Sequence, residues 1–158
     1  MTRTLAAIVL VSMFLAGCAS VPMESPARAT RAKEFTPPTN GNAGLYIYRA
    51  GHFGGALTKG VWVDGECIGR TAPNVFFYHE VAGGQSHKIT TESEFSPNDL
   101  VIDTEPGALY FIRQYIKLGV FVGGAGLELV DAGEGKREVS ELKMAARGTC
   151  NNDQENVE

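Results

Sequence analysis

Between residues 44 and 131 the chain is written in short apolar runs, and most of them are closed by Gly, Pro, Asn or an Asp-Gly pair. Runs of this length are too short for long core helices, whereas strands of about five to eight residues joined by turns suit them. The runs read as strands over 44–50, 60–64, 66–71, 74–81, 86–92, 99–103, 108–117 and 126–131. Their regular spacing predicts an all-β fold, a mainly antiparallel β-sandwich of about seven or eight strands. Asp64-Gly65, between Val61-Trp62-Val63 and Cys67-Ile68-Gly69, is the sharpest hairpin signal, because Gly takes positive φ at no steric cost. Gly83-Gly84, between Val81 and His87, predicts a second hairpin on the same ground. Within 108–117, Tyr110, Ile112 and Ile116 alternate with Phe111, Arg113, Tyr115 and Lys117, the pattern of a sheet packed on one side. Val139, Leu142 and Ala146 recur at spacings of three and four and predict one short C-terminal amphipathic helix over 136–146, with an edge strand as the alternative.

At 158 residues the chain has length for one ordinary domain. The formal charge of −4 disfavours a nucleic-acid partner, which requires a concentrated basic face.

The N-terminus carries a different kind of signal. Met1-Thr2-Arg3 is a short basic start, Leu5 to Leu15 is an apolar run, and Leu15-Ala16-Gly17-Cys18 closes it. This is a secretory signal, too short to span a bilayer as a mature helix. Its ending resembles the bacterial lipoprotein box, in which a cysteine thiol is acylated and the signal is cut before it. That resemblance implies that residues 1–17 are removed and that lipidated Cys18 becomes the first residue; an ordinary secreted protein with an incidental cysteine is the alternative. Acyl chains contribute about 0.8 kcal/mol per buried CH2, so two or three of them anchor a protein firmly. Ala19 stands where an Asp would resemble an inner-membrane retention signal, which favours the periplasmic face of the cell outer membrane over the inner membrane. Residues 18–43, with Pro22, Pro26, Pro37 and Pro38 and no apolar period, read as a flexible, disordered tether. The β domain is expected over 44–147 and a polar tail over 148–158.

A family resemblance rests on Gly44-Leu-Tyr-Ile-Tyr-Arg49, Val61-Trp-Val-Asp-Gly65, Ile68-Gly69, Val75-Phe-Phe-Tyr78, Gly83-Gly84 before His87-Lys-Ile89, and Gly107-Ala-Leu-Tyr-Phe-Ile112. This series of strands and turns resembles the bacterial domain-of-unknown-function 2846 lipoproteins over roughly residues 41 to 145. The Asp-Gly turn followed by Ile-Gly, an aromatic strand and a Gly-rich turn is also similar to small PEGA-type β-sandwich modules. The resemblance implies an envelope lipoprotein with a β domain and carries no catalytic residue.

Candidate chemical sites are few. A two-residue Gly83-Gly84 loop would put His79 and His87 on opposite faces of a hairpin, and a three-residue loop would restore a common face. Neither supplies a third metal ligand, so no metal or cofactor is expected, and surface histidines paired with Glu80 are the simpler reading. Ser86-His87 lacks the second Gly and the strand-to-helix setting of a nucleophile elbow. The glycine-rich stretches 51–55 and 119–126 match neither phosphate-loop pattern and read as strand connections. Tyr46, Tyr48, Trp62, Phe76, Tyr78, Tyr110 and Tyr115 could line a groove, but core packing is favoured. Phe53, Phe121 and Val122 sit in or beside glycine loops and are candidates for a contact surface. Cys67 and Cys150 either form a disulfide in an oxidising periplasm or stay as a buried thiol and a loose one.

Two functions follow as expectations. The first is a non-enzymatic, membrane-anchored binding or structural module whose partner is another envelope protein or peptidoglycan. The second is a small-ligand carrier or enzyme with a pocket in the β domain, built from aromatics with Arg49, Arg113 or Glu80.

Overall fold

The computed structural model describes residues 19–93, 98–119 and 123–151. In chain order these form α1 (Pro26–Ala32), β1 (Asn42–Arg49), β2 (Lys59–Val63), β3 (Glu66–Thr71), β4 (Val75–Ala82), β5 (Ser86–Thr91), β6 (Asn98–Asp103), β7 (Leu109–Lys117), β8 (Gly124–Val130), α2 (Ala132–Glu141) and β9 (Lys143–Met144). Two sheets carry them, a five-stranded one ordered β8-β7-β1-β4-β9 and a four-stranded one ordered β3-β2-β5-β6. The eight expected strands are all present, within a few residues of the expected limits. Pairing is antiparallel except for β1 with β7 and β4 with β9, which run parallel.

Period-two alternation places the two cores. Leu45 and Ile47 of β1, Val75, Phe77 and Val81 of β4 and Ile112 of β7 face the second sheet, where they meet Val61, Val63, Ile68, Ile89 and Ile102. The intervening residues Tyr46, Tyr48, Phe76 and Phe111 point the other way and are buried with Val139, Leu142 and Met144, with Ala29, Ala32 and Phe35 packed against them. The five-stranded sheet is therefore covered on both faces, whereas the alternation of 108–117 alone suggested one. The second cover comes from α1 and α2, and its centre is Tyr46 stacked on Phe111, ring centroids 4.9 Å apart and planes 8° from parallel.

The Asp64-Gly65 hairpin forms as expected, with both residues at positive φ (51° and 83°). The Gly83-Gly84 hairpin does not: β4 lies in one sheet and β5 in the other, so 83–85 is a corner between layers. Its amides are held by distant carbonyls, Gly83 N donating to Gly41 O and Gly84 N to Thr104 O. Glycine is required at 83 because a Cβ there would stand 2.6 Å from Pro106. The C-terminal helix starts earlier than the periodicity implied and also ends earlier. Asp131 caps it, its side chain accepting from Gly133 N and Glu134 N, and Lys143–Met144 leaves it to extend the sheet beside β4.

The largest departure from expectation lies in residues 19–43, which were read as a disordered spacer. Ser25 caps α1 with Pro26 at its first turn, Met23 bridges Ala145, and Val21 packs on the inter-sheet core. Glu24 N donates to Met144 O and Ala146 N to Pro22 O, so the segment becomes an extra edge beyond β9. The residue-level reason is that Ala29, Ala32 and Phe35 supply the apolar cover that the outer sheet face lacks, while Val21 adds to the inter-sheet core.

Gly135 of α2 lets the helix lie on the sheet, since a Cβ there would fall 2.3 Å from Phe111 Cβ. Helix propensity alone would make Gly135→Ala stabilising by up to about 1 kcal/mol. Overpacking against Phe111 reverses the sign, and urea denaturation of G135A is expected to show a net loss of about 1–3 kcal/mol.

Candidate functional site

Arg49, Arg113, Glu80, Ser86 and His87 are each bonded to other groups of the protein. Arg49, at the end of β1 and 1% exposed, donates Nη1 to Leu57 O (2.6 Å) and Nη2 to Gly54 O (2.6 Å) and Phe53 O (3.1 Å). Burial pulls its pKa down. Three carbonyls turned inward onto a cation are the inverse of a phosphate cradle, which turns amides outward. Loop 50–58 is thus pinned by a buried guanidinium and is not an anion site.

Arg113 of β7 is surrounded by carboxylates on the outer face: Nε meets Glu128 at 2.8 Å, and Nη1 meets Glu134 at 2.9 Å and Glu138 at 3.2 Å. Hydrogen bonding to Glu128, then to Glu134, raises its pKa against the cost of burial. Tyr48 hydroxyl donates to Glu138, and burial together with that bond holds the phenol protonated. The assembly ties α2 to β7 and β8.

Inside the sandwich Thr71, Gln114 and Thr91 form a closed relay. Gln114 Nε2 donates to Thr91 Oγ1 (2.7 Å), Thr91 Oγ1 to Gly60 O (2.9 Å), and Thr71 Oγ1 bonds Gln114 Oε1. Among the described residues no buried side-chain nitrogen or oxygen lacks a partner. The inter-sheet space is filled by these groups and the aliphatic core.

The histidines separate. His87 is 4% exposed, with Nδ1 2.6 Å from Asp64 Oδ2 and Nε2 2.7 Å from Ala82 O. Both partners only accept, so the ring donates from both nitrogens and is the imidazolium. Burial opposes the charge, but the Asp64 bond and the Ala82 carbonyl outweigh it and raise the pKa. Asp64 is shifted downward: its partial burial acts the other way and is overcome by the His87 bond and the Lys88 amide. His79 is lowered, by burial first and then by the Arg147 charge. Glu80, the expected histidine partner, instead accepts from Asn42 Nδ2 and Tyr78 hydroxyl, both at 3.1 Å. Asp64 was missed because it is distant in sequence and the 83–85 corner was read as a hairpin. Ser86 hydroxyl is spent on Asp103.

The aromatic cluster is chiefly core. A pocket of about 420 Å3 does open at its edge, but between α1 and the outer sheet face, not inside the sandwich. Arg28, Arg31, Pro38, Tyr46, Tyr78 and Glu80 line it. Tyr46 hydroxyl donates to Ala32 O at 2.6 Å, and its pKa is pushed up to about 12 by burial and then by the Glu80 charge. Tyr78 is raised as well, by burial and by its bond to Glu80. Both phenols therefore stay protonated at neutral pH and can hold a ligand without acting as nucleophiles. The cationic wall lies in the segment read as a spacer; Ser25-Pro26, a helix-start signal, is the sequence cue that marks it.

Cys67 and Cys150 are joined in a disulfide, Cα–Cα 5.9 Å, which draws the C-terminal segment onto β3. Residue 150 thus belongs to the folded body and not to a loose tail. Phe53 is 63% exposed on loop 50–58. Phe121, Val122 and Cys18 lie outside the described residues, as does the tail from 152 onward. Ala19, directly after Cys18, donates its amide to Gly55 O at 3.0 Å. Among the described residues no three His, Cys, Asp or Glu side chains converge on a metal position, and no helix is long and apolar enough to cross a membrane.

The family model "Protein of unknown function (DUF2846)" matches residues 39–125, from the start of β1 to β8 and so across the two sheets. The chain belongs to the DUF2846 family. It is also 54% identical over 140 residues to a protein of Haemophilus influenzae described as an uncharacterized protein, covering 89% of this chain and 83% of that one. No solved structure matches. The DUF2846 match begins after α1 and ends before α2, so the pocket wall and the outer helical cover are contributed from outside the matched segment.

Two outcomes are expected. The disulfide closes a separation of 83 residues, and the chain-entropy model assigns such a loop about 4–5 kcal/mol; C67S/C150S should lose stability of that order in a chemical-denaturation midpoint, and a change within experimental error would contradict it. The His87 contribution is complete below the ordinary histidine pKa of about 6.5 and is lost as pH rises through its raised folded value. The Asp64 contribution is lost as pH falls through its depressed folded value. Tm against pH should therefore decline above neutrality in the native protein and lose that decline in H87Q.

Proposed function

We propose that this DUF2846 protein is a lipid-anchored component of the bacterial envelope, held by Cys18 on the periplasmic face of the outer membrane and acting as a non-enzymatic binding or structural module. The observation that carries this reading is the position of the fold's start. The residue after Cys18 is already bonded to the body, so a cut before Cys18 removes the secretory signal and leaves every described element in place. The Cys67–Cys150 disulfide agrees with an exported, oxidising setting. The commitment of Arg49, Arg113, Ser86 and His87 to partners within the protein supports the non-enzymatic reading.

The pocket under α1 favours a second reading, a carrier for a small ligand bearing both an apolar ring and an anionic group, recognised by Tyr46, Tyr78, Arg28 and Arg31. One experiment separates the readings. Mass spectrometry of the N-terminal peptide from membranes should find diacylated or triacylated Cys18, and C18S should abolish both acylation and membrane retention. In-cell cross-linking of the wild type in the outer-membrane fraction should then capture a reproducible envelope protein or peptidoglycan. An acylated but solitary protein that is stabilised by a small anion-bearing aromatic in a thermal-shift screen supports the carrier instead.

A further inference from the structure

The two ends of the sandwich differ in chemistry. Register places the ends of β1 and β7, the starts of β4 and β8, and loop 50–58 at one end. The β2–β3 turn, the 83–85 corner and the β6–β7 connection lie at the other. The second end is acidic and polar: Asp64, Asp103, Glu105 and Asp131 stand exposed there. The first end presents Phe53, 63% exposed, and Leu118, 89% exposed, with Lys117 and His52 beside them.

These apolar side chains are not on unrelated loops. Gly54, next to Phe53, is so close to Ile116 that a Cβ would stand 3.0 Å from its Cγ1, and Gly123 is 2.6 Å by the same measure from Leu57 Cδ1. Loop 50–58 thus packs on Ile116 of β7 and on Gly123 just before β8, and Arg49 fixes the loop from beneath through the carbonyls of Phe53, Gly54 and Leu57. Onto the same loop comes the chain start, Ala19 N donating to Gly55 O at 3.0 Å. Ala19, the residue that directly follows Cys18 in the sequence, is therefore fixed at this end.

We infer that this end face lies directly on the lipid surface, with Phe53 and Leu118 inserted into the interfacial region and the acidic end turned toward the periplasm. The inference rests on the lipoprotein reading. Acyl chains leaving the body beside Gly55 give the domain no slack to stand off, and the apolar pair next to the exit point matches the boundary between headgroups and acyl chains. The carboxylates at the far end would be repelled by anionic headgroups. An end that exposes Phe53 and Leu118 and receives Ala19, the residue after the anchor position, has the bilayer as its occupant.

The test uses the full-length acylated protein in vesicles of phosphatidylethanolamine and phosphatidylglycerol, with single tryptophans F53W, L118W and, as the far-end reference, Q85W, each in a W62F background. Vesicle flotation and the mass of the Cys18 peptide are read on the same samples. Brominated acyl chains are expected to quench F53W and L118W severalfold more than Q85W, with blue-shifted emission for the first two. Equal, weak quenching of all three in protein that floats and carries acylated Cys18 overturns the docking and leaves the lipoprotein reading intact. Unacylated Cys18 in protein that stays with the soluble fraction overturns both. Strong quenching of Q85W alone would invert the orientation and also overturn the proposal.

Discussion

Strand β1 has no side facing water. β4 and β7 pair with its two edges, the four-stranded sheet covers Leu45 and Ile47, and the helices cover Tyr46 and Tyr48. The buried centre of such a strand, residues 45–48, must be largely apolar, yet its two faces need different shapes. Small aliphatics interdigitate between sheets about 10 Å apart, while broad rings fill the wider gap beneath helices of only seven and ten residues. The aliphatic-aromatic alternation of residues 45–48 meets both demands. The remaining elements follow from it: α1 and α2 cover the aromatic face, and Gly135 and Gly44 are small because the side chains of Phe111 in one case and of Leu109 and Tyr78 in the other come too close for a Cβ.

Much of this was legible in the sequence. The eight main strands, the Asp64-Gly65 turn and the all-β class follow from run length and glycine chemistry, which act locally. The signals that failed were non-local. Gly83-Gly84 has the composition of a hairpin, but whether two neighbouring strands pair or part company depends on the amides of 83 and 84 finding Gly41 and Thr104. Residues 19–43 have a proline-rich spacer's composition, and only the uncovered rings of β1, β4 and β7 give Ala29, Ala32 and Phe35 something to pack on. His87 looked like a surface residue because its partner, Asp64, is brought in by the second sheet.

The distribution of polar groups bears on function in the same physical terms. A side chain available for chemistry must retain an unspent lone pair or proton where a substrate can reach it. Here Arg49 is spent on carbonyls, Arg113 on carboxylates, and Gln114 on two threonines. What remains accessible is surface: a ring-floored hollow beside α1 and an apolar tip beside the chain start.

The disulfide also fixes an order of events. Its two cysteines are 83 residues apart, and the second lies within the last nine residues of the chain. The parallel β1–β7 ladder already requires residues 44 and 109 to meet, so the central sheet cannot close until most of the polypeptide is present, and the covalent staple can be set only after that. Cys67 therefore has no partner until residue 150 has been made, and a product truncated shortly before residue 150 would have all nine described strands but no lock.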